Sequence, residues 1–125
     1  MYKYFKSNKK KTAGDCAVRA VMVVTGWDWY KAYDALCESG KKKMEMPSSL
    51  EAMESLLVKE GFSAMKLTVL KGSKRPTVKE IAEAYPTYNI IVSVAGHFVG
   101  CKNGDYFDTW DSGSKSVYKF FIKPL

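Results

Sequence analysis

Residues 97–108, HFVGCKNGDYFD, predict a β-hairpin that decides the character of the C-terminal half. Asn103 and Gly104 form a strong turn signal, because both suit the positive φ angles of a two-residue type I′ turn. Such a turn pairs Lys102 with Asp105 and fixes the register of the two strands. Aromatic and β-branched residues dominate the last third of the chain, which is therefore predicted to be an antiparallel sheet.

Helix-like and strand-like segments are separated along the rest of the chain. Strands are predicted at residues 62–69, 89–94, 97–101, 105–110 and 116–122. Helices are predicted at residues 15–25, 28–39, 48–61 and 77–85, from apolar spacings of three or four and from capping residues. Helices first and strands second indicate an α+β domain whose helices cover one side of the sheet.

Polar residues mark three of the predicted helix starts. Asp28 stands where an N-cap is expected for the second helix. Ser48 precedes Glu51 by three residues, the spacing of a capping box, and Thr77 opens the fourth helix with Glu80 at the same spacing. A proline at position 86 then requires that helix to end.

The size and composition fit one compact domain over residues 1–125, with 46% hydrophobic residues. Lysine and arginine exceed aspartate and glutamate by 20 to 13, and five of the lysines lie in the first twelve residues. We expect residues 1–12 to form a poorly packed basic arm, although Tyr2, Tyr4 and Phe5 argue against full disorder. Such an arm suits an acidic partner, whereas the basic and aromatic pattern of a nucleic-acid surface does not continue along the chain.

Two further features predict a cytoplasmic location. The apolar runs are far shorter than the roughly 18 residues of a membrane span, and the N-terminus lacks the apolar region of a secretory signal. Cys16, Cys37 and Cys101 are odd in number and widely spaced, which favours free thiols in a reducing compartment.

Cys16 is the candidate nucleophile because it lies at the predicted start of the first helix. Unpaired backbone N–H groups and the helix dipole stabilise a thiolate there and can also bind an oxyanion. The alternative interpretation is a small buried cysteine that happens to lie near a helix end, since cysteine is often buried.

His97, the single histidine, is the candidate base, and the hairpin register gives it a partner. Pairing 102 with 105 pairs 97 with 110, so Asp108 lies diagonally across from His97 on the same face. Asp108 can then hold the ring nitrogen that faces away from Cys16. Asp111 is the rival carboxylate, but in a regular strand its side chain points to the other face.

These residues resemble those of the papain-like cysteine peptidases. The motif GDC at residues 14–16 opens a helix, a distant His97 begins a strand, and DTW follows at residues 108–110. The stretch DCAVRA at residues 15–20 is similar to one in small papain-like proteins of phages and bacteria, and the size is similar to that of C39-type peptidases. The resemblance implies a papain-like fold, with N-terminal helices packed on a C-terminal antiparallel sheet. If the protein is phage-encoded, the expected cytoplasmic location is the cytoplasm of the host.

The resemblance also implies roles for the individual residues. Cys16 would be the nucleophile, His97 the general base and acid, and Asp108 the residue that orients His97. Asp15 would support the site. Apart from the resemblance, Trp110 is expected to shield the His–Asp pair from water, the alternative being ordinary core packing. No cofactor and no metal are implied.

The oxyanion hole is where the sequence departs from that family. These peptidases usually place a Gln several residues before the Cys, and this sequence contains no Gln. Asn8 is the nearest amide side chain and is predicted to donate with the backbone N–H of Cys16, the alternative being a solvated residue of the arm. Losing one such donor typically costs about 100- to 1,000-fold in rate.

Other candidate residues have structural interpretations. Cys101 and Cys37 fit core positions, and a zinc site built from the three cysteines and His97 lacks any Cys-x-x-Cys spacing. Arg19 is expected to pair with Asp15 or with an acidic residue of the sheet.

The sequence therefore predicts a cysteine peptidase or isopeptidase that acts on a protein or peptide by acyl transfer through Cys16. The alternative is a catalytically idle papain-like adaptor or inhibitor, whose basic arm binds an acidic protein or nucleic acid.

Overall fold

The computed structural model describes residues 1–7, 14–67 and 72–125. Within these ranges the chain forms four helices and one six-stranded sheet. The elements are β1 (Tyr2–Tyr4), α1 (Cys16–Thr25), α2 (Trp29–Lys43), α3 (Leu50–Lys59), β2 (Ser63–Lys66), α4 (Val78–Ala84), β3 (Tyr88–Val94), β4 (His97–Lys102), β5 (Asp105–Asp108) and β6 (Lys119–Pro124). The mixed architecture is consistent with the predicted α+β class.

The sheet has the strand order β1-β5-β4-β3-β6-β2. All neighbouring strands are antiparallel except β1 and β5, which are parallel. The predicted hairpin register is confirmed, since Lys102 pairs with Asp105. Asn103 and Gly104 have φ angles of 55° and 80°, as a type I′ turn requires.

The helices lie on both faces of the sheet, so the prediction that they cover one side is wrong. Helices α1 to α3 share a core with Ile91, Phe98 and Phe121. Helix α4 packs in a second core that includes Ile90 and Val92, which point to the opposite face. The central strand β3 is therefore apolar in consecutive positions because both of its faces are buried.

Helix α1 is buried on almost every side and rests directly on β4. Its buried apolar residues are Ala17, Val18, Ala20, Val21, Val23 and Val24. At Gly100 of β4 an added Cβ would lie 2.8 Å from Cβ of Val23 and 3.0 Å from the carbonyl oxygen of Ala20. Gly100 thus permits the close approach that sets the height of α1 above the sheet.

The N-terminal segment is better packed than predicted. Residues Tyr2–Tyr4 form an edge strand along β5, and the backbone N–H of Phe5 donates to the carbonyl oxygen of Asp108 at 2.8 Å. Residues 8–12 of the predicted arm lie outside the described residues. The aromatic side chains among the lysines are the signal for this strand.

Several element boundaries differ from the predictions. Helix α2 continues past its predicted end at residue 39, through Gly40 to Lys43, so the three lysines at 41–43 form its last turn. The α3 cap is Ser49, which accepts from the N–H of Ala52, and not Ser48. Strand β5 ends at Asp108, before the predicted residue 110, and β6 begins at Lys119, after the predicted residue 116.

None of the described helices is long and apolar enough to cross a membrane.

The substitution Gly100→Ala tests the close contact between α1 and β4. We expect it to lower the free energy of unfolding by about 1–3 kcal/mol, as overpacked core positions typically do. Urea denaturation measures the loss. Ala64→Val adds two methyl groups at an exposed position of edge strand β2 and serves as the control, with little expected change. Equal stability of both variants would contradict the close packing at Gly100.

Candidate active site

Cys16 is the first residue of α1 and lines a cavity of about 630 Å³. Asp15 occupies the N-cap position, but its side chain makes no capping hydrogen bond and is turned to other partners. His97 and Trp110 line the same cavity from the sheet side. The structure therefore places the sequence-predicted nucleophile and base in one cleft between the helices and the sheet.

His97 begins β4, and its ring is held by Asp108 at the end of β5. The Nε2 atom of His97 lies 2.6 Å from Oδ2 of Asp108. An ionised carboxylate only accepts hydrogen bonds, so Nε2 carries a proton and Nδ1 is the ring nitrogen left for Cys16. The predicted diagonal contact across the hairpin is thus present in the structure.

Cys16 and His97 line the same cavity and are close enough for each to shift the pKa of the other. Burial opposes ionisation of the thiol, but hydrogen bonds with His97 and the backbone of Phe98 lower the pKa of Cys16 below its usual value. Burial also opposes the charged ring, but hydrogen bonds with Asp108 and Cys16 raise the pKa of His97 to about 9. Both shifts are toward the charged forms, a thiolate on Cys16 and an imidazolium on His97.

Asp108 is completely buried and every lone-pair direction of its carboxylate has a donor nearby. Oδ1 accepts from Nη1 of Arg19 at 2.9 Å and from the N–H of Thr109 at 2.8 Å. Oδ2 accepts from Oγ of Ser112 at 2.8 Å in addition to His97. Burial by itself disfavours the charged carboxylate, but these donors outweigh it and lower the pKa of Asp108 to about 2.

Arg19 connects the helix that carries Cys16 to the strand that carries Asp108. Its Nε donates to Oδ1 of Asp15 at 3.0 Å, one helical turn earlier, while Nη1 reaches Asp108. The sequence predicts one of these pairs, with Asp15 or with an acidic residue of the sheet, whereas the structure contains both. The residue spacing 15–19 was the signal for the first pair, but no local pattern identifies the second.

Asp15 is the other buried carboxylate of the site. While Oδ1 accepts from Arg19, Oδ2 accepts from Oγ of Ser7 at 2.7 Å and from Nε1 of Trp29 at 3.0 Å. Burial opposes its ionisation, but these hydrogen bonds and the charge of Arg19 lower the pKa of Asp15. Asp15 therefore joins the N-terminal segment and α2 to the start of α1, which supports the position of Cys16.

Trp110 lies beside the ring of His97. Their ring centroids are 5.3 Å apart with an interplanar angle of 31°. The indole is 43% exposed, so it covers the imidazole on one side while its own outer face remains in solvent. This position fits the predicted shielding of the His–Asp pair.

The remaining candidates lie elsewhere or have other partners. Asn8, predicted for the oxyanion hole, lies outside the described residues. Asp111 accepts from the hydroxyl of Tyr106 at 2.6 Å and from the N–H of Gly113, and its hydrogen bonds do not involve His97. Cys101 is fully buried in the core, where burial raises its pKa to about 12.

The thiols of Cys16, Cys37 and Cys101 are free. Among the described residues no cluster of three or more His, Cys, Asp or Glu side chains is arranged to hold a metal ion.

No protein-family model matches the chain, and no curated protein or solved structure was found to match it.

The variant Arg19→Met tests how far the site depends on the buried ion pairs. It leaves two buried carboxylates without their shared cation, and we expect a loss of about 3–5 kcal/mol in the free energy of unfolding. Lys119→Met is the control, because Lys119 pairs with Glu54 at 2.6 Å in a partly exposed position, where an ion pair contributes about 0–1 kcal/mol. Urea denaturation of the two variants gives the comparison, and similar losses would contradict the role of Arg19.

The variants Asp108→Asn and Asp111→Asn separate the two aspartates by the reactivity of Cys16. In Asp108→Asn the imidazolium loses its counter-charge, so the thiol pKa is expected to rise toward the ~8.5 of a free thiol. Iodoacetamide alkylation between pH 5 and 10, followed by peptide mass mapping, measures that pKa. Asp111→Asn should leave the profile unchanged. The opposite ranking, or no effect from either variant, would exclude Asp108 as the partner of a working His97.

Proposed function

We propose that this protein is a papain-like cysteine hydrolase that cleaves a peptide or isopeptide bond through Cys16, His97 and Asp108. The observation that carries the proposal is the 2.6 Å contact between Asp108 and Nε2 of His97, whose ring lines the same cavity as Cys16. The arrangement supports a nucleophile, a proton carrier and an orienting carboxylate in one line. A helix that begins at the nucleophile and packs on an antiparallel sheet supports the papain-like fold.

Acylation starts from the thiolate–imidazolium pair. The sulfur of Cys16 attacks the carbonyl carbon of the scissile bond, and the carbonyl oxygen takes the negative charge of a tetrahedral intermediate. The proton on Nδ1 of His97 then passes to the departing nitrogen, the C–N bond breaks and the amine leaves. The acyl group remains on Cys16 as a thioester.

Deacylation uses the same ring in the reverse sense. Neutral His97 takes a proton from a water molecule, and the resulting oxygen nucleophile attacks the thioester carbonyl. The C–S bond breaks, the carboxylic acid leaves and the thiolate–imidazolium pair is restored. Throughout the cycle Asp108 stays ionised, since its pKa of about 2 lies far below neutrality.

The oxyanion is proposed to bind at the start of α1. The first N–H groups of a helix have no intrahelical partner, and Cys16 is the first residue of this helix. The N–H of Cys16 is therefore the proposed backbone donor to the oxygen that takes the negative charge, and the helix dipole adds to its effect. Asn8 is the proposed side-chain donor on the basis of its position in the sequence.

A chromogenic ester tests the proposal without knowledge of the natural substrate. With p-nitrophenyl acetate we expect a burst of about one nitrophenolate per chain, followed by slower turnover, because acylation of Cys16 precedes thioester hydrolysis. Cys16→Ala should abolish the burst, and His97→Ala should reduce acylation by about 100-fold or more. Cys37→Ser, which changes a thiol outside the cleft, is the matched control and should keep the burst.

The rival interpretation has its own outcome in the same experiment. A catalytically idle binding protein would show no burst, and its Cys16 would be alkylated with the pH dependence of a free thiol. That pair of results would exclude the hydrolase.

A further inference from the structure

A second cavity adjoins the cleft at His97 and Trp110. This cavity has a volume of about 500 Å³ and shares Val94, Gly96, His97 and Trp110 with the cavity at Cys16. His97 and Trp110 therefore line two neighbouring spaces, and Cys16 lines only the first. The second space is one into which a bound polypeptide could extend from the reaction centre.

Two cationic side chains lie over aromatic rings of residues that line the second cavity. Lys115 lines it, and its Nζ lies 5.8 Å from the ring centroid of Trp110. The guanidinium of Arg75 lies 4.4 Å from the ring centroid of Tyr118, which also lines the cavity. Attraction to an aromatic face limits the positions that a long cationic side chain explores, so both charges are partly preorganised.

The backbone of Lys115 is also anchored. Its N–H donates to the carbonyl oxygen of Ser112, and its own carbonyl oxygen accepts from the N–H of Val78. Ser112 in turn donates to Asp108, so the turn that presents Lys115 is tied to the site itself.

The charge of this region is not neutralised within the described part of the chain. There, neither Lys115 nor Arg75 has a carboxylate at ion-pair distance, and neither cavity has an aspartate or glutamate in its lining. A carboxylate entering the second cavity would meet uncompensated positive charge, whereas a lysine or arginine would be repelled.

The proposed chemistry says which half of a substrate reaches this cavity. His97 must give its proton to the departing nitrogen, so that nitrogen lies against His97 in the transition state. The residues attached to it then extend away from Cys16, past His97 and Trp110. The second cavity therefore lies on the leaving-group side of the scissile bond.

We infer that the natural substrate carries an acidic side chain on the leaving-group side of the bond that is cleaved, and that Lys115 and Arg75 bind it. The inference rests on the proposed function and adds a substrate class to it. It also differs from the basic-arm hypothesis, because Lys3 and Lys6 belong to the N-terminal segment and line neither cavity.

Acyl transfer tests the inference directly, because an incoming amine occupies the place of the leaving amine. Protein acetylated on Cys16 by p-nitrophenyl acetate is offered Gly-Glu-amide, Gly-Gln-amide or Gly-Lys-amide at pH 8. The amine nitrogen attacks the thioester carbonyl, its proton passes to His97, the C–S bond breaks and an acetylated dipeptide forms. Chromatography gives the ratio of acetyl dipeptide to acetate for each acceptor.

We expect the glutamate acceptor to exceed the glutamine acceptor by roughly two- to fivefold, the range of a partly exposed ion pair, and the lysine acceptor to be poorest. The preference should shrink in 0.5 M salt, where exposed charges are screened. Lys115→Gln should remove most of it, Lys115→Glu should reverse it, and the double variant Lys115→Gln, Arg75→Gln should abolish it. Lys66→Gln, an exposed lysine of β2 at the far edge of the sheet, is the control and should keep the wild-type ratios.

The outcomes distinguish the two proposals. No acetyl-enzyme at all would overturn the proposed function. An acetyl-enzyme that reacts equally with the three acceptors, or a glutamate preference that survives Lys115→Glu, would overturn the inference while leaving the hydrolase intact. The nitrophenolate burst, which needs only Cys16 and His97, shows whether each variant is folded and active.

Discussion

The buried ion pair between Arg19 and Asp108 is the interaction on which the site depends. Asp108 has no exposed surface, and an isolated carboxylate there would take up a proton rather than stay charged. Arg19 supplies a permanent positive charge on one oxygen and leaves the other oxygen for His97. Because Arg19 lies three residues after Cys16 in the same helix, one side chain sets the helix position relative to the hairpin.

The charges around this pair alternate from the helix to the cleft. Asp15, Arg19, Asp108 and the ring of His97 follow one another as negative, positive, negative and positive groups, and Cys16 lines the cleft with that ring. Each charge is stabilised by its neighbours, which explains why both buried carboxylates have lowered pKa values while His97 has a raised one. The alternation ends at the thiol of Cys16, which lines the cleft and has a lowered pKa.

Backbone packing holds the two ends of this chain in place. Gly100 lets α1 lie close to β4, so the start of α1 stands over the start of the same strand that carries His97. On the other side of the hairpin, the N-terminal strand binds the backbone of Asp108 through Phe5, and the hydroxyl of Tyr2 donates to the same carbonyl oxygen at 3.1 Å. The N-terminus thus contributes to the geometry of a site whose nucleophile lies after it in the chain.

The sequence alone determined the features that depend on neighbours in the chain. The Asn103-Gly104 turn fixed the hairpin register, and with it the choice of Asp108 over Asp111, because a two-residue turn leaves one pairing. Three helix starts were evident to within one residue from Asp28, Ser48 and Thr77, the third-helix cap being Ser49 in the structure, since caps act over three or four residues. Tertiary structure decided the features that depend on long-range contacts. These are the parallel pairing of β1 with β5, the placement of α4 on the second face of the sheet, the two ion pairs of Arg19, and the second cavity beside the cleft, which Lys115 lines. Each of these joins residues far apart in sequence, and the burial that stabilises them depends on which surfaces meet, which a local pattern does not record.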